Sequence, residues 1–540
     1  MPAPYETPIG SWTRKSTFFW AAVGATVGLA NLWQFPYLAG QHGGGLFILL
    51  YVACLLLVTL PLMVTEAALG RHSRHGIVLA LDGYIRSARC SRWWMFAGRL
   101  SVIAAFLVLS YTAVFGSIAL AYVFYGAFGV FADVGQAEAT AVLSDLVSDT
   151  RDYKVFMAWH LFFLVLVIWV SIQGVVRGLE RVFRALVPAS LILLLSLFAL
   201  AAWHDRLDGA ISAILQFRPA DVGADSVKAA LFHAFFTLGL GMGVWAIFGA
   251  YTPAGVRLKR SVLAVVLMDT LVAILAGVLI FATATTDGSF DGERGFSLLF
   301  VSLPVALAPL PGSQFIIAAA FLLVVLVVWT TALALLEPVV GWFREWTGAP
   351  RGWSVFIIGV LVWLAGLVTL LSFNLWSDIR LAGGTPFRWL ELITGGLLIP
   401  LVAILIALFT GWCLTRSLSF TIIGNTPWLF GRIWYWVMRL VLPVVVAYIG
   451  ISYTLFSLDN LCDNNQEEVR WCRQVDPVVA EPGVLQPEQV EPAPSADHGV
   501  TPTPAVEEGK PQPARHEEDA KPEPMPEKAP KQGDILYHSV

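Results

Sequence analysis

Hydrophobic residues come in long blocks through the first 457 positions, and short polar segments separate these blocks. A helix needs roughly 20 apolar residues to cross hydrocarbon about 30 Å thick. Eleven blocks have about this length or more, and they predict membrane-spanning helices, called spans 1 to 11 below. In chain order the spans lie near residues 17–40, 46–69, 99–127, 156–174, 184–202, 227–250, 261–284, 313–342, 353–372, 389–411 and 433–457.

The composition agrees with a chain that lies mostly in lipid. Of the 540 residues, 57% are hydrophobic and 13% are charged, and the mean hydropathy is +0.71. Soluble domains are about a quarter charged, so a soluble enzyme and a nucleic-acid-binding protein are excluded. The chain also has no HExxH, GxSxG or paired catalytic carboxylates. We therefore expect that the protein is not an enzyme and has no nucleic-acid partner. We also expect membrane lipid around the spans.

The charges divide the chain into two unlike parts. From Asp459 to Val540 there are 17 Asp and Glu, 7 Lys and Arg, and 13 of the 30 prolines. Such a segment buries too little apolar surface to offset the entropy lost on ordering. Residues 458–540 are therefore predicted to be an acidic, Pro-rich, disordered tail.

Basic residues predict the orientation in the membrane. With the N-terminus inside, the inner segments carry 19 Lys and Arg and the outer loops before the tail carry 8. The positive-inside rule then predicts residues 1–16 as a cytoplasmic segment. An odd number of spans puts the tail outside, in the periplasm if the chain lies in a bacterial inner (plasma) membrane.

The five cysteines fall into two groups. Cys462 and Cys472 lie just beyond span 11, and they either form a small disulfide loop or remain two free thiols. Cys54, Cys90 and Cys413 lie in or inside the membrane without a CxxC spacing. From these three we expect neither metal nor redox chemistry.

Spans 1 and 6 carry glycine-dense interruptions near mid-membrane, at residues 24–28 and 237–243. Because they are five spans apart, spans 1–5 and 6–10 form a possible inverted pair, and such paired breaks indicate a transporter's central site. The freed carbonyls would suit a cation. Alternatively, Gly24 and Gly28 form only a helix-packing face. His233, one turn before the second break, makes a polar contact or acts as a proton-linked modulator.

Polar side chains inside apolar spans are energetically costly, so each one indicates a structural or functional role. Asp269, near the middle of span 7, is interpreted as a cation ligand in preference to a structural hydrogen-bond acceptor. Glu66 is expected to brace the broken helices, and Glu337 could act similarly. Thr330 and Thr331 would in isolation bond back to their own helix. Together with carbonyls from span 1, they would complete an all-oxygen shell.

The chain carries a series of motifs at residues 24–37, 43–45, 66–71, 235–243 and 268–272, then at Thr330-Thr331 through Glu337-Pro338. These motifs resemble those of the neurotransmitter:sodium symporter family. The resemblance covers residues 10 to 457 in order and spacing, and it is closest to bacterial eleven-span members. It implies an all-α membrane protein with the leucine-transporter-like inverted five-helix repeat, about 17–202 and 227–411, and an eleventh helix. Residues 17–457 would then be one transporter domain, followed by the disordered tail.

The resemblance also implies sodium-driven uptake of a small solute, usually an amino acid, with two Na⁺ sites. The first site would use Thr26, Asn31, Thr237 and Asp269. The second would use Gly24, Val27, Val327, Thr330 and Thr331. Because Asp269 supplies a negative charge itself, we expect that chloride is not required.

A substrate pocket is implied in the same way, by Ala25, Gly28, Val108, Tyr111, Thr112, Phe236, Gly239, Met242, Thr331 and Leu335. Small residues in span 1 leave room for a substrate carboxylate beside the first sodium. Gly239 and Met242 make the pocket roomy and adaptable, which favours a neutral, hydrophobic amino acid. The leading hypothesis is symport of such an amino acid by alternating access.

The gates depart from the family pattern. Gln34 replaces the outer-gate arginine, although its acidic partner survives as Glu391. At the inner gate Trp12 is present, Ile9 replaces the expected arginine, and the partners would be Tyr251 and Glu345. The family tyrosine of span 3 aligns with Thr112, one place after Tyr111. These departures leave open another solute such as an osmolyte, and a transporter-like sensor.

Overall fold

The computed structural model describes residues 9–204, 207–284, 296–424 and 428–463. Nine of its helices are long and apolar enough to cross a membrane, and they correspond to the predicted spans 2–5 and 7–11. In chain order they are Gly45–Ser73, Arg92–Ala127, Tyr153–Ile172, Val175–Trp203, Leu258–Thr283, Ser313–Thr347, Arg351–Ser372, Pro386–Cys413 and Gly431–Leu458.

The two remaining spans are interrupted, as the glycines predict. Span 1 consists of half-helix 1a, Thr17–Thr26, and half-helix 1b, made of Leu29–Leu32 and Gln34–Gln41. Span 6 consists of half-helix 6a, Ala224–Phe236, and half-helix 6b, Val244–Tyr251. Each break leaves main-chain groups without helical partners in mid-span, where lipid offers none.

The two breaks use different backbone geometry. Between 1a and 1b, Val27 and Gly28 are extended, with ψ of 106° and −173°. Between 6a and 6b, Gly239, Gly241 and Gly243 have φ of +62°, +72° and +70°. Only glycine adopts that region readily, so the glycine-rich sequence of the second break is required by its conformation.

Shorter helices connect the spans, and the described residues contain isolated β-bridges instead of strands. The main connecting helices are Ile77–Ala88, Gln136–Val147, Leu207–Leu215, Leu298–Leu307 and Arg416–Ile423. The all-α fold class is confirmed.

Half-helix 6b lies directly against span 2. A methyl group added at Gly70 would lie 1.8 Å from the Ala246 carbonyl oxygen, and one at Gly249 would lie 2.0 Å from that of Ala67. The two backbones therefore touch, which small residues alone permit. Gly24 is packed similarly by Val187, so the packing interpretation of this glycine also holds.

The structure differs from the sequence-based expectations for two cysteines and for the start of the tail. Cys90 and Cys413 form a disulfide, with Cα atoms 6.2 Å apart, so the expectation that they carry no redox chemistry was wrong. They are 323 residues apart in sequence, and motif spacing could not reveal the pair. The last helix extends to Asp463, past the predicted start of the tail. The Cys462–Cys472 pairing and the rest of the tail lie outside the described residues.

Candidate functional site

Asp269 is at the centre of a buried polar cluster between the two breaks. Its Oδ1 accepts a hydrogen bond from Asn31 Nδ2 at 3.1 Å, and its Oδ2 accepts one from Tyr51 Oη at 3.1 Å. Thr237 Oγ1 donates to Asn31 Oδ1 at 3.2 Å. Thr26 is buried beside the carboxylate. The structure thus brings together all four residues that the resemblance assigned to the first sodium site.

This cluster contains an acidic group and, among the ion pairs of the described residues, no pair involves Asp269. Asp269, Asn31 and Tyr51 are all fully buried. A buried carboxylate without a cationic partner is costly, and a bound metal cation would offset that cost. Carboxylate, amide and main-chain oxygens are suitable ligands for a hard cation.

A second group of oxygens converges on Thr331 in span 8. Its Oγ1 lies 3.4 Å from the Gly24 carbonyl oxygen, 3.3 Å from that of Val27 and 3.1 Å from that of Val327. Thr330 Oγ1 instead bonds back to the Val327 carbonyl, 2.9 Å away. The end of 1a therefore meets span 8 through oxygen atoms of Gly24, Val27 and Thr331.

Glu66 braces the second break. Its Oε1 accepts a hydrogen bond from the Gly241 main-chain N–H at 2.9 Å, and Glu66 is fully buried. This contact satisfies one of the donors that the break frees in mid-span. The predicted bracing role of Glu66 is confirmed for the second break.

The small residues of the predicted substrate pocket face one another across the breaks. A Cβ built on Gly239 would point toward Met242 Cε at 3.5 Å and the Ala25 carbonyl at 4.0 Å. One on Gly28 would point toward Thr331 Oγ1 at 3.9 Å. These positions come from spans 1, 6 and 8 and lie beside both groups of oxygens.

The aromatic residues of the predicted pocket pack against residues that were not predicted to line it. The Tyr111 ring packs edge-on against Phe387, with centroids 6.2 Å apart. The Phe236 ring lies 5.4 Å from that of Tyr453 in the last span. Val108 is buried and Leu335 is buried, whereas Thr112, one turn after Val108, is half-buried.

On the predicted outer side, the two expected gate residues each have a different partner. Gln34 Oε1 lies 3.3 Å from His233 Nδ1, so His233 makes a polar contact. Glu391 Oε2 accepts from Arg388 Nη1 at 3.4 Å. The glutamine that replaces the family arginine thus contacts span 6.

On the predicted inner side, Trp12 holds the N-terminal segment against half-helix 6b. Its main-chain N–H donates to the Tyr251 carbonyl at 3.0 Å, and the two rings pack edge-on. The Tyr251 hydroxyl donates to Glu337 and not to Glu345. Glu337 also forms a two-point ion pair with Arg351, at 2.7 Å for each bond. This pair joins spans 8 and 9 where 6b ends.

Glu345 has other partners than the resemblance implied. Its Oε1 accepts from His75 Nδ1 at 3.1 Å and from the Gly76 N–H at 3.0 Å. Ile9, which replaces the gate arginine, still takes part through its backbone, because its carbonyl accepts from Arg344 Nη1 at 3.3 Å. A cation of span 8 therefore contacts the N-terminal segment at the position where the family uses an N-terminal cation.

Glu180, at the start of span 5, anchors the residues just before 1a. Its carboxylate accepts hydrogen bonds from Thr13 N, Thr13 Oγ1, Arg14 N and Thr17 Oγ1, at 2.8 to 3.0 Å.

Sequence reasoning missed Glu180, Tyr51 and Arg351. For Tyr51 a signal was available, since it is the only tyrosine in the apolar span 2.

Comparison with known proteins decides the family. The sequence model of the sodium:neurotransmitter symporter family matches residues 9–133 and 143–464. The chain belongs to this family. It is 32% identical over 450 residues to an uncharacterized sodium-dependent transporter of Bacillus subtilis, covering 82% of this chain and 97% of that protein. The family resemblance seen in the motifs is thereby confirmed, and the protein is a sodium-dependent multi-pass membrane transporter.

Two further similarities concern fold and substrate class. The crystal structure of MhsT in complex with L-phenylalanine matches with a TM-score of 0.72 and 27% identity, over 82% of this chain and 99% of that one. A human sodium-dependent neutral amino acid transporter is 27% identical over 317 residues, which are 53% of this chain and 42% of that protein. The first similarity confirms the leucine-transporter-like fold of this family member.

Proposed function

We propose that the protein carries out sodium-coupled symport of a neutral, hydrophobic amino acid by alternating access. The observation that carries this proposal is the fully buried Asp269 carboxylate, which accepts a hydrogen bond from Asn31, while Asn31 accepts one from Thr237 at the start of the second break. A cation held there would contact both repeats at once. Release or binding of that cation would therefore change how the repeats fit together.

The proposal includes two sodium ions. The first would be held by Asp269, Asn31, Thr237 and the Thr26 carbonyl, and the second by Thr331, Thr330 and the carbonyls at the end of 1a. Both sites depend on main-chain oxygens that only a broken helix exposes. Sodium binding and the conformation of span 1 would be linked for that reason.

The pocket chemistry supports a hydrophobic amino acid. Its proposed lining has no charged side chain and includes Gly239 and Met242 next to Ala25. A substrate carboxylate could complete the shell of the first sodium, while an apolar side chain would lie against the methionine. The relatives named for phenylalanine and for neutral amino acids support the same class.

Alternating access would open one side at a time. On the predicted inner side, Trp12, Glu180 and the Glu337–Arg351 pair hold the N-terminal segment, 6b and span 9 together. These contacts would have to separate when the inner side opens. The proposal places the N-terminus in the cytoplasm of a bacterial inner membrane and the tail in the periplasm.

Proteoliposomes test this function. Purified full-length protein is reconstituted, an inward sodium gradient is imposed, and uptake of radiolabelled leucine, phenylalanine, glycine and the osmolyte glycine betaine is compared. We expect uptake of leucine or phenylalanine that disappears when potassium replaces sodium. Uptake of betaine alone would replace the amino-acid proposal with the osmolyte alternative. Sodium-dependent binding without uptake would instead indicate a sensor.

A further inference from the structure

A basic cleft opens beside the start of span 1, at the end of the molecule that the charge bias predicts to be cytoplasmic. Its volume is ≈ 440 Å³. Lys15 lines it from the N-terminal segment, and Arg257 and Arg260 line it from the start of span 7. Phe19 and Ala264 provide apolar wall on the side toward the membrane. The basic cleft is thus cationic at its mouth and apolar toward the lipid.

Within the described residues, the three cations are not paired with an acidic side chain. In residues 9–204, 207–284, 296–424 and 428–463, no ion pair or side-chain hydrogen bond involves Lys15, Arg257 or Arg260. All three are exposed. Like charges that converge without an acid between them favour an anionic ligand.

The frame of the cleft is fixed by hydrogen bonds. Arg71 of span 2 donates to the carbonyls of Ala254 and Val256 at 2.7 and 2.8 Å. Arg74 donates to the carbonyl of Thr252 at 2.5 Å. The loop that precedes Arg257 is therefore held in place by two other cations, which add to the positive potential.

An apolar track leads from the cleft into the membrane. Leu263, Leu267 and Leu271 are 39%, 55% and 49% exposed, and they follow Arg260 at helical spacing on one face of span 7. A ligand with an anionic head and hydrocarbon chains would match both the cations and this track. A free anion would use the cations alone.

We propose that the basic cleft binds an anionic phospholipid of the inner leaflet. Its phosphate would contact Lys15, Arg257 and Arg260, and an acyl chain would lie along the three leucines. The lipid would join the segment before half-helix 1a to span 7, which carries Asp269. This inference does not depend on the identity of the transported solute.

Native mass spectrometry of the delipidated full-length protein tests the proposal. Phosphatidylglycerol and phosphatidylcholine with identical acyl chains are titrated in parallel. The wild type should bind phosphatidylglycerol more tightly. Replacing Lys15, Arg257 and Arg260 together by Gln should weaken that binding about 100-fold, at about fivefold per cation. The matched control replaces Arg92, Arg99 and Arg177 by Gln, which removes the same charge elsewhere on this side and should change binding less than about twofold.

A second variant keeps every charge. A methyl group at Gly255 would lie 2.9 Å from Lys15 Cε, so Gly255→Ala should displace the ammonium group and weaken phosphatidylglycerol binding about fivefold. Gly352→Ala, with nothing within 4 Å of the added methyl, is its control. Melting temperatures in phosphatidylcholine establish that each variant is folded.

Four results would overturn the proposal. The first is equal affinity of the wild type for the two lipids. The second is an equal loss of affinity in the two triple variants, and the third is unchanged affinity in Gly255→Ala. The fourth is displacement of phosphatidylglycerol by millimolar inorganic phosphate or glycerol phosphate, because the cleft would then be a site for a free anion.

Discussion

Asn31 donates a hydrogen bond from its side-chain amide to the carboxylate of Asp269 at 3.1 Å, and these residues belong to different repeats of the fold. Asn31 lies in half-helix 1b and Asp269 lies in the middle of span 7. Tyr51 donates to the other carboxylate oxygen. The position of the carboxylate is therefore fixed from two sides.

The first prediction concerns the charge of Asp269. Asp269→Asn removes the negative charge and leaves one acceptor oxygen for two donors, so the apparent sodium affinity should fall about 10- to 100-fold. Sodium-dependent thermal stabilisation and the sodium dependence of uptake measure this change. Tyr51→Phe is the control, because it removes one hydrogen bond and keeps the charge. This variant should lower the apparent sodium affinity about fivefold. Unchanged sodium affinity in Asp269→Asn would show that Asp269 is not part of the sodium site.

The second prediction concerns chloride. Since Asp269 supplies a negative charge beside the proposed first sodium, sodium-driven uptake should be the same in chloride as in gluconate. Uptake is measured in proteoliposomes with chloride absent on both sides. In Asp269→Asn, any residual uptake should become stronger when chloride is present, because an external anion could balance the cation. Wild-type uptake that vanished in gluconate would contradict this expectation.

The third prediction concerns the ion pair of Glu337 and Arg351. Arg351→Met leaves the fully buried Glu337 carboxylate without its cation, which should lower the free energy of unfolding by about 3–5 kcal/mol. Arg351→Met combined with Glu337→Gln should recover most of that loss. Thermal melts in detergent of the four proteins form a double-mutant cycle. The exposed Arg86–Asp82 pair provides the control, since Arg86→Gln should cost less than about 1 kcal/mol.

The fourth prediction concerns the contact of span 2 with half-helix 6b. A methyl group at Gly70 would meet backbone that cannot rotate away, so Gly70→Ala should force the helices apart and cost at least about 3 kcal/mol. Size-exclusion profiles and melting temperatures report the loss. Gly83→Ala, at a helical position with open space around the added methyl, should be neutral or stabilising by about 0.5–1 kcal/mol. Equal behaviour of the two variants would refute the close contact.

Much of the fold was predictable because hydrocarbon thickness sets helix length and lipid cannot satisfy free backbone groups. These two constraints reveal the nine uninterrupted spans, and they show why residues 24–28 and 237–243 differ from the rest. Asp269 was recognisable for the same reason, since a carboxylate in an apolar span is costly. The geometry that joins it to Asn31 needed the family resemblance.

Other contacts left no local pattern in the sequence. Arg351 and Glu180 lie near span ends, where charged residues are ordinary, and only the fold shows that they are partners of Glu337 and of the N-terminal segment. Cys90 and Cys413 meet across 323 residues. The contact of Ile9 with Arg344 left no signal in the sequence, because it uses a main-chain carbonyl, which every residue type possesses.

The single carboxylate of Glu180 bears on how the predicted inner side would open. Its hydrogen bonds reach Thr13, Arg14 and Thr17 together, so the start of the chain cannot peel away one residue at a time without leaving acceptor capacity unfilled. We therefore expect residues 13–17 to detach together as one unit. A shorter side chain at position 180 would not reach all of these donors, and residues 13–17 would then separate from span 5 one at a time.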